Sequence, residues 1–233
     1  MVLSFLGNGA GFSKEHTSAY FDTDKREMVI IDLSLLNEKK LEEMDLSYYD
    51  KFFILITHTH SDHISGLGLW IQWVQFVLKK EVTIIAPSEK VKENIIYLLT
   101  ELDGCDSSWY TVLTANEVSE PWFGSAIPTA HSPQLEGKCF GYRLNIGGKN
   151  VIYTGDTSTL APFKPFLTQN CELYVDVSIN YGMIHLKLED ALPELVEFAE
   201  KGVQVYLMHL DNIEKAVHII FRTKNIYLAV SDS

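Results

Sequence analysis

The chain has 233 residues, 46% of them hydrophobic and 21% charged, which suits a single globular domain large enough to bury a sizeable core. Its formal net charge of −12, with no basic cluster beyond pairs such as Lys39-Lys40 and Lys79-Lys80, argues against a grip on long nucleic acid, where phosphate neutralisation dominates affinity. Cys105, Cys139 and Cys171 are scattered and form no CxxC pair, which argues against a disulfide scaffold and for a reducing compartment.

Taken in chain order, short apolar runs alternate with helical patterns. The N-terminal stretch MVLSFLGNGAGF has neither a basic segment nor a long apolar one, so no secretory signal is expected there. Val2 to Leu6 and Ser18 to Phe21 read as strands flanking a glycine-rich turn, and Met28 to Asp32 as a buried strand. Phe52 to Thr57 is another strand, its apolar run far too short to span a bilayer; with the scattered cysteines pointing to a reducing compartment, the cytoplasm is the expected location. Ile64 to Lys79 carries apolar residues at helical spacing; its Trp70 and Trp73 read as packing residues. Val82 to Ala86 reads as a strand and Glu89 to Leu102 as a helix, while Cys139 to Asn145 and Val151 to Thr154 make a hairpin around Gly147-Gly148. A helical pattern from Leu188 to Ala199 contains Pro193, so that helix is expected to start late or kink. Val203 to Met208 is a strand ending at His209. No linker divides the chain, so one domain spanning 1–233 is expected, with sheet layers covered by helices.

The most informative stretch is HTHSDH, residues 58 to 63, directly after the strand Phe52 to Thr57. Strand carboxyl ends are where α/β folds place ligand sites. His58 and His60 are two apart, so both imidazoles of an extended segment point to one side, and Asp62 and His63 follow on a turn into a helix. Imidazole with carboxylate suits zinc, iron or manganese. One metal cannot easily take four ligands from so short a segment, but two metals can share it. Further candidates follow short apolar stretches downstream: His131 in PTAHSP, Asp156 in VIYTGDT and His209 in VYLMHL. His16 and His218 have no ligand context and read as structural.

With these motifs in this order, the chain resembles the metallo-β-lactamase superfamily; FLGNGAGF, HTSAYF and IIDLS are also similar to that superfamily's opening strands. The resemblance covers essentially the whole chain. It implies an α/β fold, a four-layer αβ/βα sandwich, with two divalent metal ions at one edge of the sheets. Zinc is the expected metal, with manganese or iron as alternatives. By that resemblance His58, His60 and His131 hold the first metal, Asp62, His63 and His209 the second, and Asp156 bridges them.

Departures from the superfamily's branches narrow the expectation. Penicillin-degrading members carry cysteine where this chain has Asp156, and flavin-linked diiron reductases carry glutamate where it has His60. What remains is shared by thioesterases, lactonases, tRNA 3′-processing endonucleases and small phosphodiesterases. His185, ahead of the helical pattern, matches a histidine that lies beside the scissile phosphate in the last two groups, although Leu186 and Lys187 replace the small hydroxyl residue usual after it. The tRNA-processing enzymes carry a long tRNA-gripping arm, whereas only 24 residues (132–155) separate His131 from Asp156 here. The chain thus looks like the compact, arm-less type that opens cyclic nucleotides, the anti-Pycsar phosphodiesterases. Two divalent ions outweigh the two charges of Asp62 and Asp156, and a positive site in an acidic protein favours a small anionic substrate. Asp62 is expected to orient the attacking water or take its proton, and His185 to contact the phosphate or protonate the leaving oxygen. A thioester or lactone hydrolase and a tRNA 3′-processing-type endonuclease are the alternatives. A one-iron oxidoreductase and a non-catalytic binding module are further rivals. No membrane partner is expected; a homodimer is.

Overall fold

The computed structural model describes residues 1–230, and its two halves build two six-stranded sheets. The first contains β1 (Ser4–Gly7), β2 (Ser18–Asp22), β3 (Glu27–Ile31), β4 (Lys51–Leu55), β5 (Glu81–Ala86) and β6 (Thr111–Thr114), side by side in chain order. The second contains β7 (Phe123–Pro128), β8 (Phe140–Ile146), β9 (Lys149–Tyr153), β10 (Glu172–Asp176), β11 (Gln204–Met208) and β12 (Ile226–Leu228), again in chain order. In each sheet the first three strands pair antiparallel and every later neighbour pairs parallel. The two halves therefore repeat one topology that no sequence repeat announces.

Strand period two explains the layers. In β3 and β4, Met28, Ile30, Phe52 and Ile54 face outward into one apolar cluster, while Val29, Ile31, Phe53 and Leu55 face the other sheet. In β10 and β11, Leu173, Val175, Val205 and Leu207 face outward, and Tyr174, Tyr206 and Met208 meet the first sheet's side chains between the layers. Helices cover both outer faces. On the first, α1 (Leu35–Glu42), then α3 (Leu67–Trp73) after the one-turn α2 (Ser61–Ile64), and α4 (Glu89–Tyr97) contribute Leu41, Trp70 and Ile95. On the second, α5 (Leu188–Glu200) and α6 (Ile213–Ile220) contribute Leu195, Phe198 and Ala216. The result is the expected αβ/βα sandwich. Trp70 is fully buried, edge-on to Phe52 at 5.3 Å, in keeping with its packing role.

Two local expectations need revision. The apolar stretch after Ile64 is not one regular helix: α3 passes into a π-type turn at Val74–Leu78 and stops at Lys79, whose φ is 55°. The helix containing Pro193 does not start late, but runs from Leu188 through to Glu200. Burial of Leu188, Ala191 and Leu195 against the second sheet fixes its start, while the proline ring sits on the exposed side.

Candidate metal centre

Parallel strands bring their carboxyl ends to one edge, and the seven predicted ligands meet there. Four follow β4, and the others come from the second sheet: Asp156 after β9, His209 after β11 and His131 in the segment between β7 and β8. One group comprises His58, His60, His131 and Asp156; a second comprises Asp62, His63, Asp156 and His209, with Asp156 common to both.

Spacing shows what these atoms fit. His58 Nε2 lies 3.0 Å from His60 Nδ1, and His131 Nε2 lies 3.3 Å from the same atom. Asp156 Oδ2 is 3.5 Å from His131 Nε2, and Asp156 Oδ1 is 3.4 Å from His63 Nε2. Asp62 Oδ2 lies 3.3 Å from His63 Nε2 and 3.4 Å from His209 Nε2. A tetrahedral ion with ligands at about 2.0–2.1 Å separates neighbouring donors by roughly 3.3 Å, so both groups fit one ion each. His63 Nε2 is buried and has no hydrogen-bond partner among the described residues, as a nitrogen reserved for a ligand would be.

The backbone and a second tier of polar groups aim these side chains. Asp32, after β3, is fully buried. It accepts from Thr57 N at 2.7 Å and Thr57 Oγ1 at 2.6 Å, and its Oδ2 receives His63 Nδ1 at 2.8 Å. Thr57 Oγ1, having donated to Asp32, accepts from His58 Nδ1 at 3.0 Å. His131 Nδ1 donates to the Ile184 carbonyl at 2.8 Å. These bonds leave the ε-nitrogens of His58, His63 and His131 turned inward. Asp32 and His209 both adopt left-handed backbone, at φ 58°. For His209 that strain is offset by Asn8, whose Oδ1 accepts the His209 N–H at 3.1 Å. Gly155, before Asp156, also has φ 58°; a Cβ there would lie 2.5 Å from the Phe140 carbonyl, so no side chain is tolerated.

The electrostatics suit cations. Burial alone would push the Asp156 carboxyl up, yet His209 and His63 hold it well below the usual carboxylate range. Burial, reinforced by His63, lowers His58 far below its ordinary value, and burial with His131 lowers His60. Burial also works against charge on His209, but Asp156, Asp176 and Asp62 overcome it and raise its pKa to about 10. A metal at that nitrogen replaces a proton.

His185 joins the same cluster. It lies face to face with His209 at 4.9 Å and beside His131 at 4.8 Å. Its Nδ1 donates to Asp176 Oδ2 at 2.8 Å, and Asp176 Oδ1 lies 3.3 Å from His209 Nδ1. Burial disfavours its charged form, but the Asp176 carboxylate outweighs that and raises its pKa. Asp32, Asp176 and Asn8 are functional neighbours that the sequence pattern does not single out. Asp32 and Asp176 carry the same signal as Asp156, a carboxylate at the end of an apolar run. His16, read as structural, belongs to none of the donor groups; burial holds its pKa below the ordinary value, and its Nδ1 has no hydrogen-bond partner among the described residues. His218 lies exposed on α6.

Residues 53–169 match the family model described as the metallo-beta-lactamase superfamily, and residues 1–103 match the model described as anti-Pycsar protein Apyc1. An anti-Pycsar protein Apyc1 from Bacillus phage 010DV004 is 26% identical over 236 residues, covering 92% of this chain and 91% of that one. Among solved structures, the metallo-beta-lactamase fold protein YhfI from Bacillus subtilis superposes with a TM-score of 0.75 at 19% identity, covering 99% of this chain and 97% of that one. A diphosphatase from the PhnP family superposes with a TM-score of 0.71 at 19% identity, covering 99% and 95%.

Proposed function

Because the chain belongs to the metallo-beta-lactamase superfamily, we propose that it is a dinuclear metal-dependent phosphodiesterase that opens small cyclic nucleotides. The observation that carries this reading is His185: a histidine oriented by a buried carboxylate, placed against the shared edge of two four-donor groups. Relatives named anti-Pycsar proteins, alike over nine-tenths of both chains, support the same substrate class.

His58, His60, His131 and Asp156 would hold one ion and Asp62, His63, His209 and Asp156 the other. Bound there, two divalent ions, zinc by preference, would lower the pKa of an attacking water and offset charge developing on the phosphoryl oxygens. Asp62 is partly open to solvent and orients that water or takes its proton. Asp176 fixes the His185 ring, whose Nε2 makes no hydrogen bond among the described residues, so that nitrogen can meet a phosphoryl oxygen or protonate the leaving ribose oxygen. The water oxygen bonds to phosphorus, one P–O ester bond breaks, and a linear nucleotide monophosphate leaves.

The segment between His131 and Asp156 is occupied by a short 3₁₀ turn, Pro133–Leu135, and the β8–β9 hairpin, which disfavours a tRNA substrate. The same reading takes a small anion as substrate, a second copy of the chain as partner and the cytoplasm as location. Exposed Phe76, Val77, Tyr97 and Leu102 on the outer helical layer support the dimer, and three buried free thiols suit a reducing compartment. No helix among the described residues is long and apolar enough to cross a membrane.

The test is a panel of a 3′,5′-cyclic nucleotide, a chromogenic phosphodiester, a thioester and a lactone, each incubated with zinc-loaded protein. Conversion of the cyclic nucleotide to its linear monophosphate is expected. Turnover of the thioester or lactone alone would overturn the reading.

A further inference from the structure

Phe12 is 99% exposed, an unusual setting for a large aromatic side chain beside a polar centre. It sits on the loop between β1 and β2, and that loop is tied down. Ala10 N–H donates to the Leu210 carbonyl at 3.1 Å, Ser13 N–H to the Ala10 carbonyl at 2.8 Å, and Thr17 Oγ1 to the Gly9 carbonyl at 3.1 Å. Its neighbour Gly11 lies so close to the site that a Cβ there would come within 2.8 Å of Asp62 Oδ2. Phe12 is thus displayed beside the second donor group by a braced loop.

Met183, 94% exposed, is likewise carried on a braced loop. Its loop is held by Asp211, which accepts from Ile179 N at 2.7 Å and Asn180 N at 2.8 Å, while the Ile184 carbonyl binds His131. Leu210 and Asp211 are consecutive and directly follow His209. Both loops are therefore tied to the two residues that follow His209, and each carries one exposed, polarisable side chain next to a residue that touches the site: Gly11 against Asp62, and Ile184 against His131.

We propose that Phe12 and Met183 are the base-contacting residues of this site, receiving the heterocycle of a cyclic nucleotide whose phosphodiester lies at the two donor groups. An aromatic face and a thioether both pack well on a planar heterocycle, and stacking needs no hydrogen-bond pattern from the protein. The proposal rests on the substrate class inferred above, but its test does not need turnover. The probe is a hydrolysis-resistant cyclic phosphorothioate of 2-aminopurine riboside, whose fluorescence falls on stacking, titrated into zinc-loaded protein. Wild type is expected to quench it. Phe12→Ala is expected to weaken binding about tenfold, Met183→Ala about threefold, and Phe12→Tyr to restore wild-type quenching, all with unchanged zinc content. In turnover assays Phe12→Ala should raise KM for the cyclic nucleotide about tenfold with kcat within twofold, and leave ribose 3′,5′-cyclic phosphate lacking a base unaffected.

Equal loss on the base-bearing and base-free substrates would overturn the proposal. So would quenching that survives Phe12→Ala but is lost in Thr159→Trp, which would place the base in the cleft of about 530 Å³ beside His131. Absence of cyclic-nucleotide hydrolysis by wild type, with quenching intact and Phe12-dependent, would instead overturn the phosphodiesterase reading alone.

Discussion

At the scale of single residues, the centre depends on side chains whose aim is set elsewhere. His185 is oriented by Asp176 and, in the proposed reading, supplies no metal ligand. His185→Ala is therefore expected to lower kcat about 100-fold, a typical size for loss of a proton donor, while metal analysis still finds two ions per chain. Gly155 shows the opposite kind of dependence. With φ 58° and the Phe140 carbonyl 2.5 Å from any Cβ, Gly155→Ala should lose roughly 2–4 kcal/mol of stability and displace Asp156. Chemical denaturation, together with a fall in bound metal, checks this.

At the scale of elements, α1 and α5 each carry a local cost. Glu38 on α1 is fully buried, and neither carboxylate oxygen has a hydrogen-bond partner among the described residues. Burial, with the neighbouring Glu42 carboxylate, pushes its pKa up to about 7 from an ordinary 4.5, against the opposing charge of Lys39. A carboxyl raised on folding favours the native state when protonated, so its contribution is full below pH 4.5 and is lost as pH rises through 7. Glu38→Gln mimics the protonated form. The variant should match wild type at pH 4.5 and exceed it in melting temperature at pH 8, read as the difference between the two proteins at equal metal loading. In α5, Pro193 deprives the Glu189 carbonyl of its helical donor. Proline costs about 3 kcal/mol against alanine inside a helix, of which unfolded-chain stiffening returns up to about 1 kcal/mol. Since the ring is exposed, Pro193→Ala is expected to stabilise the protein by about 1–2 kcal/mol in denaturant titration.

At the scale of the whole molecule, the centre ties the two sheets together. His58, His60, Asp62 and His63 come from the first half of the chain, and His131, Asp156 and His209 from the second. Ions binding only this folded arrangement stabilise it by mass action, about 4 kcal/mol at a thousandfold excess over Kd. Chelation should lower the melting temperature by several degrees, and added zinc should restore it; a melting curve indifferent to both would contradict the two-ion reading.

The sequence by itself determined strands such as Phe52 to Thr57, whose apolar run must be buried on both faces, but not β6, β7, β10 or β12; it also named the seven residues whose donor atoms the fold gathers at one sheet edge, because their chemistry and their places after apolar runs are local features. Hydrophobic period and residue chemistry are local properties, legible without coordinates. Tertiary structure decided what local pattern cannot carry. It paired Asp32 with His63 and Asp176 with His185, and held Pro193 inside a helix that its packing face requires. Those outcomes depend on contacts between residues distant in the chain, whose energies enter only once the two sheets close on each other.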